Sequence, residues 1–120
     1  MGFERSGMIV AVLAVGAALG TTGIAAGADG PALWEKNCAS CHGKEGKGDT
    51  KAGQLTKVKD LTAPDVRATL KRETVRQTIE QGIVDKESGK TRMKPYKDKL
   101  SPEEIDALAA HVLGIAGAGK

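Results

Sequence analysis

The chain has 120 residues, a formal net charge of +3, 28% charged and 40% hydrophobic residues. That is one globular domain's worth, which excludes extended disorder, collagen and coiled-coil readings. Two cysteines exclude a disulfide-dense scaffold, and no basic run interleaves with aromatics, which disfavours a nucleic-acid binder.

Residues 1–28 read as a secretory signal peptide: weakly positive Arg5, an uncharged apolar run over 8–19, then small residues ending in Ala26-Gly27-Ala28. The alternative is an uncleaved N-terminal anchor. Gly20-Thr21-Thr22-Gly23 interrupts the apolar run, which favours cleavage. Either way residues 29–120 form the working domain, placed outside the cytoplasm and most simply in the periplasm. That domain keeps only two aromatics, Trp34 and Tyr96, and one methionine, Met93. So small a core calls for bulk from elsewhere.

Three helical stretches are predicted in an all-α chain. The first covers 31–41, with Pro31 at a first helical position and Leu33, Trp34 and Cys38 on one face. Gly43, Gly46 and Gly48 end it and open a loop. The second lies within 64–81, where Val66 and Leu70, then Val75 and Ile79, recur at four-residue spacing before Gly82. The third begins at a capping box, Ser101-Pro102-Glu103-Glu104, and carries the stripe Ile105, Leu108, Ala109, Val112, Ala116. Gly114 and Gly117 are expected to fray its end. No stretch alternates, so no sheet is expected, and 43–63 and 83–100 are read as long loops that something must order.

The chemistry concentrates at Cys38-Ala39-Ser40-Cys41-His42, the C-x-x-C-H pattern of c-type haem attachment. Thiols three residues apart lie a helical turn apart and point the same way, so both can add to the vinyl groups on one porphyrin edge. His42 then follows where its imidazole reaches the iron. Thiol–disulfide chemistry wants a βαβ context that the sequence lacks, and zinc wants about four N/S ligands, which Cys38, Cys41, His42 and distant His111 supply at poor spacing. Gly43 and Gly48 match a phosphate loop, but Asp49 stands where its lysine belongs.

For a sixth iron ligand the domain offers Met93 and His111. Met93 lies in Thr91-Arg92-Met93-Lys94-Pro95-Tyr96, read as a proline-containing loop that can aim a thioether inward. His111, on the flank of the third helix, reads as a packing or surface histidine.

From Gly30 to Ala116 the chain resembles a class I cytochrome c. The residues carrying the resemblance are Gly30 and Trp34, CASCH at 38–42, GKEGKGD at 43–49, Asp60-Leu61-Thr62, Ile79 with Gly82, MKPY at 93–96 and LSPEEIDALAAHV. It implies three to four helices wrapped around one covalently attached haem c. Cys38 and Cys41 would form the thioethers, and His42 and Met93 would be the iron ligands. The first and last helices would cross closely, Gly30 and Trp34 against Leu108 and His111. Many members carry a proline whose carbonyl orients the proximal histidine. This chain has none between Gly43 and Ala63, so the carbonyl serving His42 is left open.

A closed His/Met site implies a one-electron carrier between redox proteins and not an enzyme. A haem-based ligand sensor with a labile sixth ligand is the alternative, and a haem-free C-x-x-C oxidoreductase a further one. Lys86, Lys90, Arg92, Lys94, Lys97 and Lys99, with only Glu87 and Asp98 among them, make a basic stretch suited to acidic redox partners. Lys44, Lys47 and Lys51, which follow the CASCH motif, are candidates to extend it.

Overall fold

The computed structural model describes Gly16 and residues 27–118. All but three residues of the expected 1–28 leader, and residues 119–120, lie outside the described residues. Among the described residues no helix is long and apolar enough to cross a membrane.

Helix α1 spans Gly30–Asn37; the Asp29 side chain accepts from the Ala32 N–H, and Pro31 occupies its first turn. The helix expected over 31–41 is interrupted at Cys38, a turn residue whose φ of −118° stretches the helical region, and resumes as α2, Ala39–His42. Gly43 ends α2 at φ 82°, a region that excludes an ordinary side chain.

The supposed loop over 43–63 contains α3, Lys51–Leu55, capped by the Thr50 hydroxyl, which accepts from the Gly53 N–H. The helical region within 64–81 is two helices, α4 Pro64–Arg67 and α5 Arg72–Gln81. The supposed loop over 83–100 contains a short antiparallel hairpin, β1 Ile83–Val84 with β2 Thr91–Met93. The expectation of no sheet is therefore corrected, and Met93 ends a strand and does not sit in a loop.

The last helix, α6, spans Pro102–Ala118. Its capping box is reciprocal: the Glu104 N–H donates to the Ser101 hydroxyl and the Ser101 N–H to the Glu104 carboxylate. Gly114 and Gly117 do not fray it. Leu113, Ile115 and Ala116 around them are partly or fully buried, and packing of that kind outweighs the roughly 1 kcal/mol propensity cost of a helical glycine.

The core forms where α6 packs on α1 and α5. Trp34, Cys38, Val75, Ile79, Ile105, Leu108, Ala109 and Val112 make one buried cluster. As the resemblance implies, α1 and α6 approach closely at Gly30: a Cβ there would lie 2.8 Å from the Ala107 carbonyl oxygen and 3.2 Å from His111 Cβ. Trp34 and His111 rings meet across the crossing at a tilt of 53°, with centroids 5.4 Å apart. Arg72 forks onto the Asp106 carboxylate and pins α5 to α6 at the surface.

Candidate functional site

One cavity of about 440 Å³ opens beside the core, within the span of about 300–1,000 Å³ usual for ligand and cofactor sites. Cys38, Cys41 and His42 of the five-residue motif line it together with Met93, some fifty residues further along the chain. Further walls come from Asn37, Val58, Leu61, Ile83 and Tyr96, and from Thr56, Lys57 and Arg92 at its mouth.

Local structure explains how each side chain is presented. The kink at Cys38 lets α1 end in the core while α2 turns the second thiol and His42 to the cavity. The Cys41 carbonyl is held by the Thr50 hydroxyl at 2.8 Å. The His42 carbonyl accepts from the Gly48 N–H at 2.7 Å, closing the glycine loop under the imidazole. Gly53 presses flat against the Cys41 carbonyl, where a Cβ has no room. The Trp34 indole N–H donates to the Gly43 carbonyl at 3.1 Å in the buried core, and its ring lies 5.5 Å from that of His42.

Met93 lines the same cavity from β2. The Tyr96 N–H donates to the Ile79 carbonyl at 2.9 Å, and its hydroxyl to the Asn37 carbonyl at 3.0 Å. Those bonds tie the segment after Met93 to α5 and to α1. Gly82 lies so close to the Met93 carbonyl that a side chain there would collide with it.

The donor set suits a covalently held haem. Both thiols are unpaired. Burial, with the Cys41 thiol beside it, pushes the Cys38 thiol up to about 11. It is therefore a neutral thiol, unsuited to the thiolate attack that disulfide exchange requires. Burial also lowers the His42 imidazole, which keeps it in the neutral, metal-binding form. His42 Nδ1 is buried without a hydrogen-bond partner, so among the described residues no carbonyl replaces the missing proline's. Among the described residues there is no cluster of three or more His, Cys, Asp or Glu side chains able to hold a metal ion by themselves.

His111 does not line the cavity; it packs on Trp34, as expected of a packing histidine. All six cations at 86–99 are exposed. Lys44 and Lys47, by contrast, pair with Glu35 and Glu45, so that side contributes less free positive charge. Sequence reading missed the walls contributed by the turn that α3 sets up, residues 56–59, and by β1. Those elements are too short to leave a periodic signal.

Residues 25–112 match the family profile described as "Cytochrome C oxidase, cbb3-type, subunit III". The chain is 33% identical over 90 residues to cytochrome c6 of Nostoc sp., covering 75% of this chain and 71% of the relative. It is 30% identical over 92 residues to cytochrome c6 of Leptolyngbya boryana, covering 77% and 95%. It is also 33% identical over 92 residues to the cbb3-type cytochrome c oxidase subunit FixP of Sinorhizobium medicae, covering 74% of this chain but only 30% of that subunit. Among solved structures, the KustC0563 c-type cytochrome superposes with a TM-score of 0.62 at 30% identity, covering 72% of this chain and 96% of that one.

Proposed function

The chain belongs to the small class I c-type cytochromes, with haem c bound covalently, and on that premise we propose that it shuttles single electrons between redox proteins outside the cytoplasm through a His42/Met93-ligated iron. Haem supplies a reversible one-electron change of the iron. The chain's residues decide what else the iron does. Cys38 and Cys41 hold the macrocycle edge by two thioethers, and the neutral His42 imidazole supplies the proximal nitrogen. Met93, which lines the same cavity, would supply a thioether to the iron and favour the reduced state. A closed ligand set leaves no place for substrate, which fits a carrier better than an enzyme.

The observation that carries this reading is the convergence of Cys38, Cys41, His42 and Met93 on one cavity. The exposed cations at 86–99 support docking to acidic partner surfaces, with rates that fall as salt rises. The export signal at 1–28 supports a periplasmic location.

The test is the Met93→Ala holoprotein. It should bind carbon monoxide in the ferrous state where the parent does not, and its reduction potential should fall. Unchanged carbon monoxide binding and potential would remove Met93 from the iron.

A further inference from the structure

Arg92 is the residue before Met93, and the hairpin treats it unusually. The register pairs Ile83 with Met93 and Val84 with Thr91, so Arg92 is the extra residue of a bulge with no partner across the ladder. Successive strand residues face opposite sides, and a bulge is the device that re-aims one of them. Here the neighbours Arg92 and Met93 both line the cavity.

From the bulge the guanidinium crosses to the turn after α3. Its Nε donates to the Thr56 carbonyl at 3.2 Å and one Nη to the Lys57 carbonyl at 2.9 Å. Lys57 has φ 55°, the one left-handed non-glycine among the described residues. That turn is itself braced, the Val58 N–H donating to the Gly53 carbonyl at 2.9 Å. Gly53 in turn abuts the Cys41 carbonyl. The two charge-assisted bonds therefore connect the strand carrying Met93, through the turn after α3 and Gly53, to the backbone at Cys41.

The segment after Met93 is fixed by Tyr96. The segment before it has a hairpin only two and three residues long and the Arg92 contacts. We propose that Arg92 is a positioning residue, a latch that holds the Met93 arm across the cavity and sets how often the sixth iron position opens. This rests on the reading of Met93 as iron ligand. Arg92 touches no reacting atom; it acts through the arm. A lysine, with one compact ammonium, cannot fork onto both carbonyls.

The experiment uses the full-length haem-loaded protein and carbon monoxide as the probe. The entry rate into the ferrous state is measured by rapid mixing, and the thioether-to-iron charge-transfer absorption is recorded in the ferric state. Arg92→Gln should accelerate entry about tenfold, equivalent to about 1.4 kcal/mol of arm-opening equilibrium, while the resting absorption persists. Arg92→Lys should fall between parent and Arg92→Gln. Lys94→Gln, which removes a charge on the other side of Met93, should stay within about twofold of the parent.

An Arg92→Gln rate equal to the parent's overturns the latch, as does equal acceleration by Lys94→Gln, which would make the effect one of net charge. Should Arg92→Gln fail to load haem, the Arg92→Lys rate decides on the same terms. Met93→Ala separates the two levels. If it opens the site and abolishes the absorption while Arg92→Gln does nothing, the latch fails and the ligand assignment stands. If Met93→Ala changes neither readout, the ligand assignment fails and the latch with it.

Discussion

Replacing Gly30 by alanine should wedge apart the α1–α6 crossing, whereas the same change at Gly114 should stabilise the protein. At Gly30 the new Cβ would sit 2.8 Å from the Ala107 carbonyl oxygen and 3.2 Å from His111 Cβ. The first neighbour is backbone and cannot swing aside, so α6 must retreat by roughly half an ångström and loosen the Trp34–His111 contact. Overpacking of this kind costs about 1–3 kcal/mol. Stiffening the unfolded chain returns about 0.4–1 kcal/mol, which leaves a net loss of about 1–2 kcal/mol. For a domain of this size that is a fall in Tm of roughly 5–15 °C. At Gly114, in mid-helix and exposed, nothing lies within 4 Å of the new Cβ, and alanine should gain about 0.5–1 kcal/mol. Guanidinium unfolding of the two haem-loaded variants, followed by circular dichroism with m-values compared, reads both signs. A Gly30→Ala protein as stable as the parent would refute the argument that the close approach sets the packing of the terminal helices.

Four other outcomes are expected. Trp34→Phe removes the indole N–H and part of the buried ring, leaving the Gly43 carbonyl with the Gly46 N–H at 3.2 Å alone, and should cost about 1–3 kcal/mol in the same unfolding assay. Gly53→Ala drives a Cβ into the Cys41 carbonyl and to 2.7 Å from the Gly48 carbonyl; the haem-to-polypeptide ratio by pyridine haemochrome should drop sharply. Tyr96→Phe loses the bond to the Asn37 carbonyl and should cost about 1 kcal/mol. Burial pushes the His111 imidazole below its ordinary 6.5, the Asp29 charge pulling weakly the other way. The unfolded chain therefore takes up the proton first, and stability is lost as pH falls through 6.5 towards the folded value. His111→Gln should flatten that limb of the stability–pH curve; an unaltered slope would exclude His111 as its source.

What the sequence disclosed followed from how local each signal is. C-x-x-C-H is a covalent requirement written in five consecutive residues, and Ser101 with Glu104 is a cap that closes on itself. Both are found where the residue pattern puts them. The break at Cys38 has no local signature: it arises because the same short stretch must fill the core with Trp34 and Cys38 and then present Cys41 and His42 to a cavity. The division between Arg67 and Arg72 leaves only a faint mark: Val66–Leu70 and Val75–Ile79 each keep four-residue spacing, and the five-residue step between Leu70 and Val75 is the one sign of the break. Helix α3 and the hairpin are too short for periodicity to register. The bulge at Arg92 depends on pairing between strands, which no single stretch encodes. Glycines misled at the far end, where buried neighbours carry α6 through Gly114 and Gly117.

Trp34 is the chain's single tryptophan, and its ring lies 5.5 Å from that of His42. A porphyrin held by His42 is then well inside energy-transfer distance, and the native protein should be nearly dark in indole emission. A porphyrin tethered at Cys38, four residues along, would stay within about 14 Å of the indole even in an extended chain. The darkness should therefore outlast unfolding: without labels, it reports whether the polypeptide carries its pigment at all, and only pigment-free chains should glow.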